Sequence, residues 1–147
     1  MTAKEYLNGI RRLDLRLKTK EAEFSRLEQD ITTLKGIDYS KDRVDGGAGG
    51  DMGDNIARLI DLQTVLNEEW DDLIRRREEA RKMIKAMPDE KHRTILLLRY
   101  VNNRSWNEIA EFMHYTFRNT TRIHGQALQA FGEKYKVFLE KMSYNVL

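Results

Sequence analysis

The side chains that most often do chemistry are few in this chain and badly spaced for it. His92, His114 and His124 are separated by 22 and 10 residues. No histidine pair stands four apart on one helix face and there is no cysteine, so neither a zinc site nor a thiol nucleophile is expected. Glu68-Glu69 and Asp71-Asp72 sit in a strongly charged run, which suits a solvated helix face better than a general acid and base. No Ser, His and Asp share an organising frame, so the sequence reads as a non-enzyme with no metal and no cofactor. The Gly-Gly-Ala-Gly-Gly run at 46–50 lacks the Gly-Lys-Ser/Thr ending and the preceding strand of a phosphate-binding loop. What remains is recognition chemistry. Phe117, Arg118, Asn119, Thr121 and Arg122 stand together in a stretch, Thr116 to Phe131, with two arginines and no acid. Arginine pairs with guanine and asparagine with adenine in the DNA major groove.

Those residues need a helix that presents them, and the local pattern supplies one. Ser105-Trp106-Asn107-Glu108 reads as a capping box opening a short helix whose Ile109, Ala110 and Met113 face inward. His114-Tyr115-Thr116 reads as a tight turn. A longer helix from about Phe117 then places Thr120, Ile123, Ala127 and Phe131 on one buried face. That is helix-turn-helix spacing, in which the start of the second helix enters the major groove. Tyr135, Phe138, Leu139 and Met142 extend the apolar face and are expected to continue the same helix. Trp106 has two readings: stacking on a base, or packing against the domain core.

Upstream, the chain reads as two long helices. Ala3, Tyr6, Ile10, Leu13, Leu17, Phe24, Leu27, Ile31 and Leu34 alternate spacings of three and four, a narrow coiled-coil stripe. Thr2 and Glu5 form a capping box at its start. A second stripe runs through Ile56, Leu59, Leu66, Trp70, Leu73, Ala80, Ile84 and Met87. Lys20, Gln63 and Arg77 interrupt the stripes and either fix register or snorkel at the seam edge. Between the stripes, residues 36–53 hold six of the nine glycines and read as a flexible loop. Pro88 stops the second helix, and Asp89 caps the next, a helix over 89–101. The expected architecture is all-α: residues 1–87 an antiparallel coiled-coil hairpin, residues 88–147 a helix-turn-helix domain with a C-terminal extension.

The global charge of +2 hides a division. Residues 88–147 carry nine Lys/Arg against six Asp/Glu, or +3, leaving −1 for the rest. Local basicity is what a DNA contact needs. No run of 18 apolar residues exists, and the N-terminal residues are charged and amphipathic rather than signal-like. A cytoplasmic protein with no membrane partner is expected.

At Leu98-Arg99-Tyr100, Ser105-Trp106-Asn107-Glu108-Ile109-Ala110 and Thr116 with Ile123, Ala127 and Leu128, the sequence resembles region 4 of bacterial sigma factors. Its opening Met1-Thr2-Ala3-Lys4-Glu5-Tyr6-Leu7, then Arg11-Arg12-Leu13-Asp14 and Asp42-Arg43-Val44, resembles a family of phage- and prophage-encoded late-gene transcription regulators. The resemblance implies a DNA-binding transcription activator acting in the bacterial host cytoplasm. It implies that Phe117, Arg118, Asn119 and Arg122 are exposed recognition-helix positions, with Thr121 at its backbone-contacting edge and Thr116, in the turn before it, among the DNA-binding residues. Ser105, Trp106 and Asn107 would begin the first helix of the motif, where amides meet phosphate. Arg99 aligns with an arginine able to pair with Glu108. Two departures stand out: His114 replaces a common turn glycine, and Thr120 replaces Ile or Val. The chain shows no aromatic, basic promoter-melting region, so contact with RNA polymerase or homo-oligomerisation through the coiled coil is expected instead of autonomous sigma activity. Two rivals are a small terminase subunit, which joins a helix-turn-helix to an oligomerising helical region, and a helical interaction protein that does not bind DNA.

Overall fold

The computed structural model describes residues 1–38 and 48–145, with the side chains of 1–32 and 53–143. The protein is all-α: six helices in chain order and no strand among the described residues. α1 spans Ala3–Asp38 and α2 spans Ala48–Lys85. α3 covers Glu90–Leu96 and widens into a π turn over Leu97–Val101. α4 is Trp106–Met113, α5 is Phe117–Lys134 and α6 is Lys136–Asn145.

α1 starts as its capping box requires. Thr2 N donates to Glu5 Oε2 at 2.9 Å, and Glu5 N donates back to Thr2 Oγ1 at 3.1 Å. Both long helices reach further into the glycine-rich stretch than expected, to Asp38 and from Ala48. Once nucleated, a helix adds one hydrogen bond per residue fixed, which offsets a terminal glycine's entropy cost. Residues 39–47 of the expected loop, Asp42-Arg43-Val44 among them, lie outside the described residues.

Two compact units emerge. The first joins Met1–Leu13 to Leu73–Leu147, and the second is Asp14–Asp72. Pro88 therefore ends a helix but not a unit: the boundary expected at residues 87 and 88 falls inside the first one. The reason lies in the packing of the first turns of α1. Ala3, Tyr6, Leu7 and Ile10 are all buried, a broader face than a two-helix seam needs. Tyr6 stacks on Phe131 of α5 at 6.1 Å between ring centroids and meets Phe138 of α6 edge-on at 5.4 Å. The Tyr6 hydroxyl also reaches Met83 Sδ of α2 at 3.8 Å. Ile84, Met87, Ile95, Leu96, Tyr100, Ile109, Ala127 and Leu139 complete this core.

In the second unit Leu17, Ile31 and Leu66 are buried, with Phe24, Leu27 and Trp70 half-buried. Lys20 is half-buried and pairs with Glu69 at 2.6 Å, linking α1 to α2. Of the other seam interruptions, Gln63 is exposed and Arg77, in the first unit, is half-buried. Asp14 is only 5% exposed and is paired with Lys18 at 3.3 Å. Leu15, Ile56, Ile60 and Val65 of this unit remain exposed.

Candidate nucleic-acid interface

Two N-caps and one left-handed residue set the angle between α4 and α5. Ser105 is extended, and its Oγ accepts from Glu108 N at 3.2 Å and donates to Glu108 Oε1 at 3.1 Å. These bonds, with Arg104, hold the Glu108 carboxyl below its ordinary range. α4 ends on His114 at φ 56 and ψ 40, with its N–H turned back to Ala110 and Glu111 carbonyls. Histidine adopts this conformation more readily than bulky residues, so the missing glycine is tolerated. Tyr115 N donates to Ala110 O at 3.0 Å, which locks the turn. Thr116 is again extended, and its Oγ1 accepts from Asn119 N at 3.1 Å to start α5.

α5 divides cleanly. Thr120, Ile123, Ala127 and Phe131 are buried, as their spacing predicts. Thr120 is accommodated because its hydroxyl donates to Thr116 O at 2.9 Å, inside its own helix. Phe117, Arg118, Thr121 and Arg122 are exposed. Asn119 is half-buried, and its Oδ1 accepts from Arg122 Nη2 at 2.8 Å and Nε at 3.3 Å. Arg122 is thus held against the helix by the neighbouring asparagine, and Asn119 orients the arginine as well as presenting its own amide. Ser105 and Thr116 are exposed but have their hydroxyls committed to capping. Asn107 is exposed on the first turn of α4.

Two features depart from the sequence reading. The helix expected over 89–101 is regular only to Leu96, after which Asn102 N bonds Leu97 O at 2.9 Å in a widened turn. With that turn, Arg99 lies over the Trp106 ring at 4.3 Å and donates to Arg104 O at 3.1 Å. Glu108 pairs instead with Arg104 at 3.2 Å, so the expected Arg99–Glu108 pair does not form. Second, the final helix is not continuous. Tyr135 leaves helical geometry at φ −110 and ψ 28, and its hydroxyl donates to Met83 O of α2 at 2.5 Å.

Of its two readings, Trp106 takes the packed one. It is half-buried, with Arg99 on its face and the His124 ring edge-on at 4.5 Å. His124 Nε2 is 2.7 Å from the Tyr100 hydroxyl. Burial pushes Tyr100 up to about 12, and burial together with Arg99 and Lys4 pushes His124 down to about 4. Both groups are therefore neutral at pH 7.

Beside this cluster a groove of about 390 Å³ runs along the flank of α5. Phe117 and Thr121 form one wall, while Lys4 and Asn8 of α1 form another. Sequence reasoning assigned no role to Lys4 or Asn8, which stand more than a hundred residues from α5. Among the described residues no cluster of three or more His, Asp or Glu is placed to hold a metal, and no helix is long and apolar enough to cross a membrane.

A family described as proteins of unknown function (DUF1492) matches at residues 33–130, a span running from the end of α1 through most of α5. No curated protein and no solved structure matches the chain.

Proposed function

This chain belongs to the DUF1492 family, and we propose that it is a sequence-specific double-stranded DNA-binding protein that regulates transcription. The observation that carries the reading is α5. Its first two turns leave Phe117, Arg118, Thr121 and Arg122 exposed with no acid among them, behind a turn fixed by Thr116 and a left-handed His114. A helix held this way by a shorter partner helix is the geometry that enters a major groove. Arg118 and Arg122 are the base-reading or phosphate-reading cations, and Asn119 sets the orientation of Arg122. The resemblance to sigma region 4 and to phage late-gene regulators supports activation of late genes as the role, with RNA polymerase as a further partner.

The second unit supports homo-oligomerisation. Leu15, Ile56, Ile60 and Val65 are 37–57% exposed there, and apolar residues concentrated on long helices favour a second copy. The same observation keeps a terminase-like packaging role as the second reading, because that role also joins DNA binding to an oligomer.

Genome-wide footprinting with the intact protein, followed by mobility shift on the protected sequence, tests the proposal. Binding should weaken steeply with salt and fall further in Arg118→Ala and Arg122→Ala. Absence of a defined site, or indifference to both substitutions, refutes it. Transcription from a promoter next to the site separates the two roles: activation supports the regulator, and protection confined to a packaging site supports the terminase.

A further inference from the structure

The groove beside α5 has the composition of an anion seat. Lys4, Asn8, Arg99, Thr121 and His124 line it beside the rings of Tyr100, Trp106 and Phe117, and no carboxylate does. Lys4 is exposed on the first turn of α1, and it forms no ion pair among the described residues. Arg99 is half-buried over Trp106 and meets a ring face and a carbonyl, with no acid paired to it among the described residues. Its guanidinium also feels Arg11 nearby, a repulsion between like charges. Lys4 and Arg99 thus bring two positive charges with no acid partner among the described residues to one groove, and a bound anion is favoured there. The groove is continuous with the exposed face of α5, since Phe117 and Thr121 belong to both. A duplex with α5 in its major groove runs its sugar–phosphate strands along the flanks of that helix.

We propose that this groove seats a backbone phosphate of the DNA that α5 reads, and that Lys4 on α1 is a phosphate-contacting residue. Asn8 supplies a neutral hydrogen-bonding group at its rim, Thr121, whose hydroxyl donates to Phe117 O at 3.0 Å, supplies only wall, and Arg99 supplies a fixed positive charge from behind. The first turns of α1 are then part of the DNA-binding surface as well as part of the core. The inference rests on the DNA-binding reading of α5 and extends it to residues that lie before the span matched by the family.

A phosphate contact and a base contact have different signatures. Losing a phosphate contact weakens binding alike on all sequences and lowers the salt slope by about 1. At a slope of ~0.9 per contact, a tenfold dilution of salt strengthens one contact about eightfold, so Lys4→Ala should weaken binding about 5- to 10-fold at ~0.1 M salt. The experiment is a mobility shift with the full chain across a salt series, on the footprinted site and on an unrelated duplex. Lys4→Ala, Lys4→Arg and the distant surface change Lys141→Ala are compared, and thermal unfolding checks that each folds. The expected result is an equal loss on both duplexes for Lys4→Ala, restored by Lys4→Arg and absent in Lys141→Ala. Unchanged binding in Lys4→Ala, an equal loss in Lys141→Ala, or a loss confined to the specific site overturns the inference while leaving the DNA-binding reading intact. Failure of the parent chain to bind any duplex overturns both.

Discussion

Acidification should unsettle the first compact unit through His124. Its imidazole is edge-on to Trp106 at 4.5 Å, stacked with Tyr100 at 5.7 Å, and hydrogen-bonded to the Tyr100 hydroxyl at 2.7 Å. Protonating it puts a cation into a partly desolvated site that already faces Arg99 and Lys4. The folded protein therefore binds that proton only near pH 4, whereas the unfolded chain binds it near 6.5. Because the folded value is depressed, the unfolded state takes up more protons between those limits. Stability is at its plateau above about pH 6.5, falls as pH drops, and flattens again below about 4. The full difference corresponds to at most ~3.4 kcal/mol, and solvent screening around a ring that is still partly exposed reduces it to ~1–2 kcal/mol.

Urea unfolding of the parent and of His124→Gln from pH 4 to 7.5 measures this. Carboxylates titrate in both proteins, so the pH dependence of the difference between them isolates the histidine. The parent should lose ~1–2 kcal/mol more than the variant as pH falls through the window. An imidazole NMR titration should place the midpoint near 4. Two stability curves that run parallel, or a His124 midpoint near 6.5, would refute the reasoning, since either means that the ring is solvated like a free side chain.

Three further predictions follow from the same geometry. His114→Val should destabilise the turn by ~1–2 kcal/mol in chemical unfolding, because a β-branched residue resists φ 56, while His114→Gly should be neutral or slightly stabilising. Phe131→Ala should cost ~3–5 kcal/mol, since the ring is fully buried between Tyr6 and Tyr135; a loss below ~1 kcal/mol would mean that α1 does not cover α5. Asn119→Ala should release Arg122 and relax sequence preference at one position of the bound site by ~1–3 kcal/mol, measured by competition with single-base variants; unaltered preference would remove Asn119 from recognition.

The signals that proved legible in the sequence are local. Ser105 with Glu108 satisfies orphan amides of the helix that it starts, so residue type and short spacing suffice to place it. The buried face of α5 is likewise set by a period that one helix fixes alone. What could not be read depends on where distant segments meet. Arg99 bonds Arg104 O and covers Trp106 because a widened turn lies between them, and nothing in Leu97-Leu98-Arg99-Tyr100-Val101 announces that turn. Tyr135 breaks the last helix where its hydroxyl reaches α2, a contact between residues 52 apart. Lys4 and Asn8 are ordinary polar positions on an amphipathic helix until α5 is laid beside them.

The packing of α1 also alters what its apolar stripe means. A coiled-coil seam buries two positions in seven, and the spacing from Ala3 to Leu34 fits that count. Yet Leu7, outside the stripe, is wholly buried, because the opening turns of α1 are covered by α5 and α6 as well as by α2. Further along, Leu17 and Ile31 are buried while Leu15 is half exposed, a narrower buried face. One helix therefore serves two purposes along its length. Its start is a structural layer of the unit that contains α4 and α5, and its remainder belongs to the other unit. α5 leans on Tyr6 through Phe131, four residues beyond Ala127 on its buried face, so its position depends on residues far away in the sequence. A partner that binds or displaces the first turns of α1 acts on the same buried layer that holds α5.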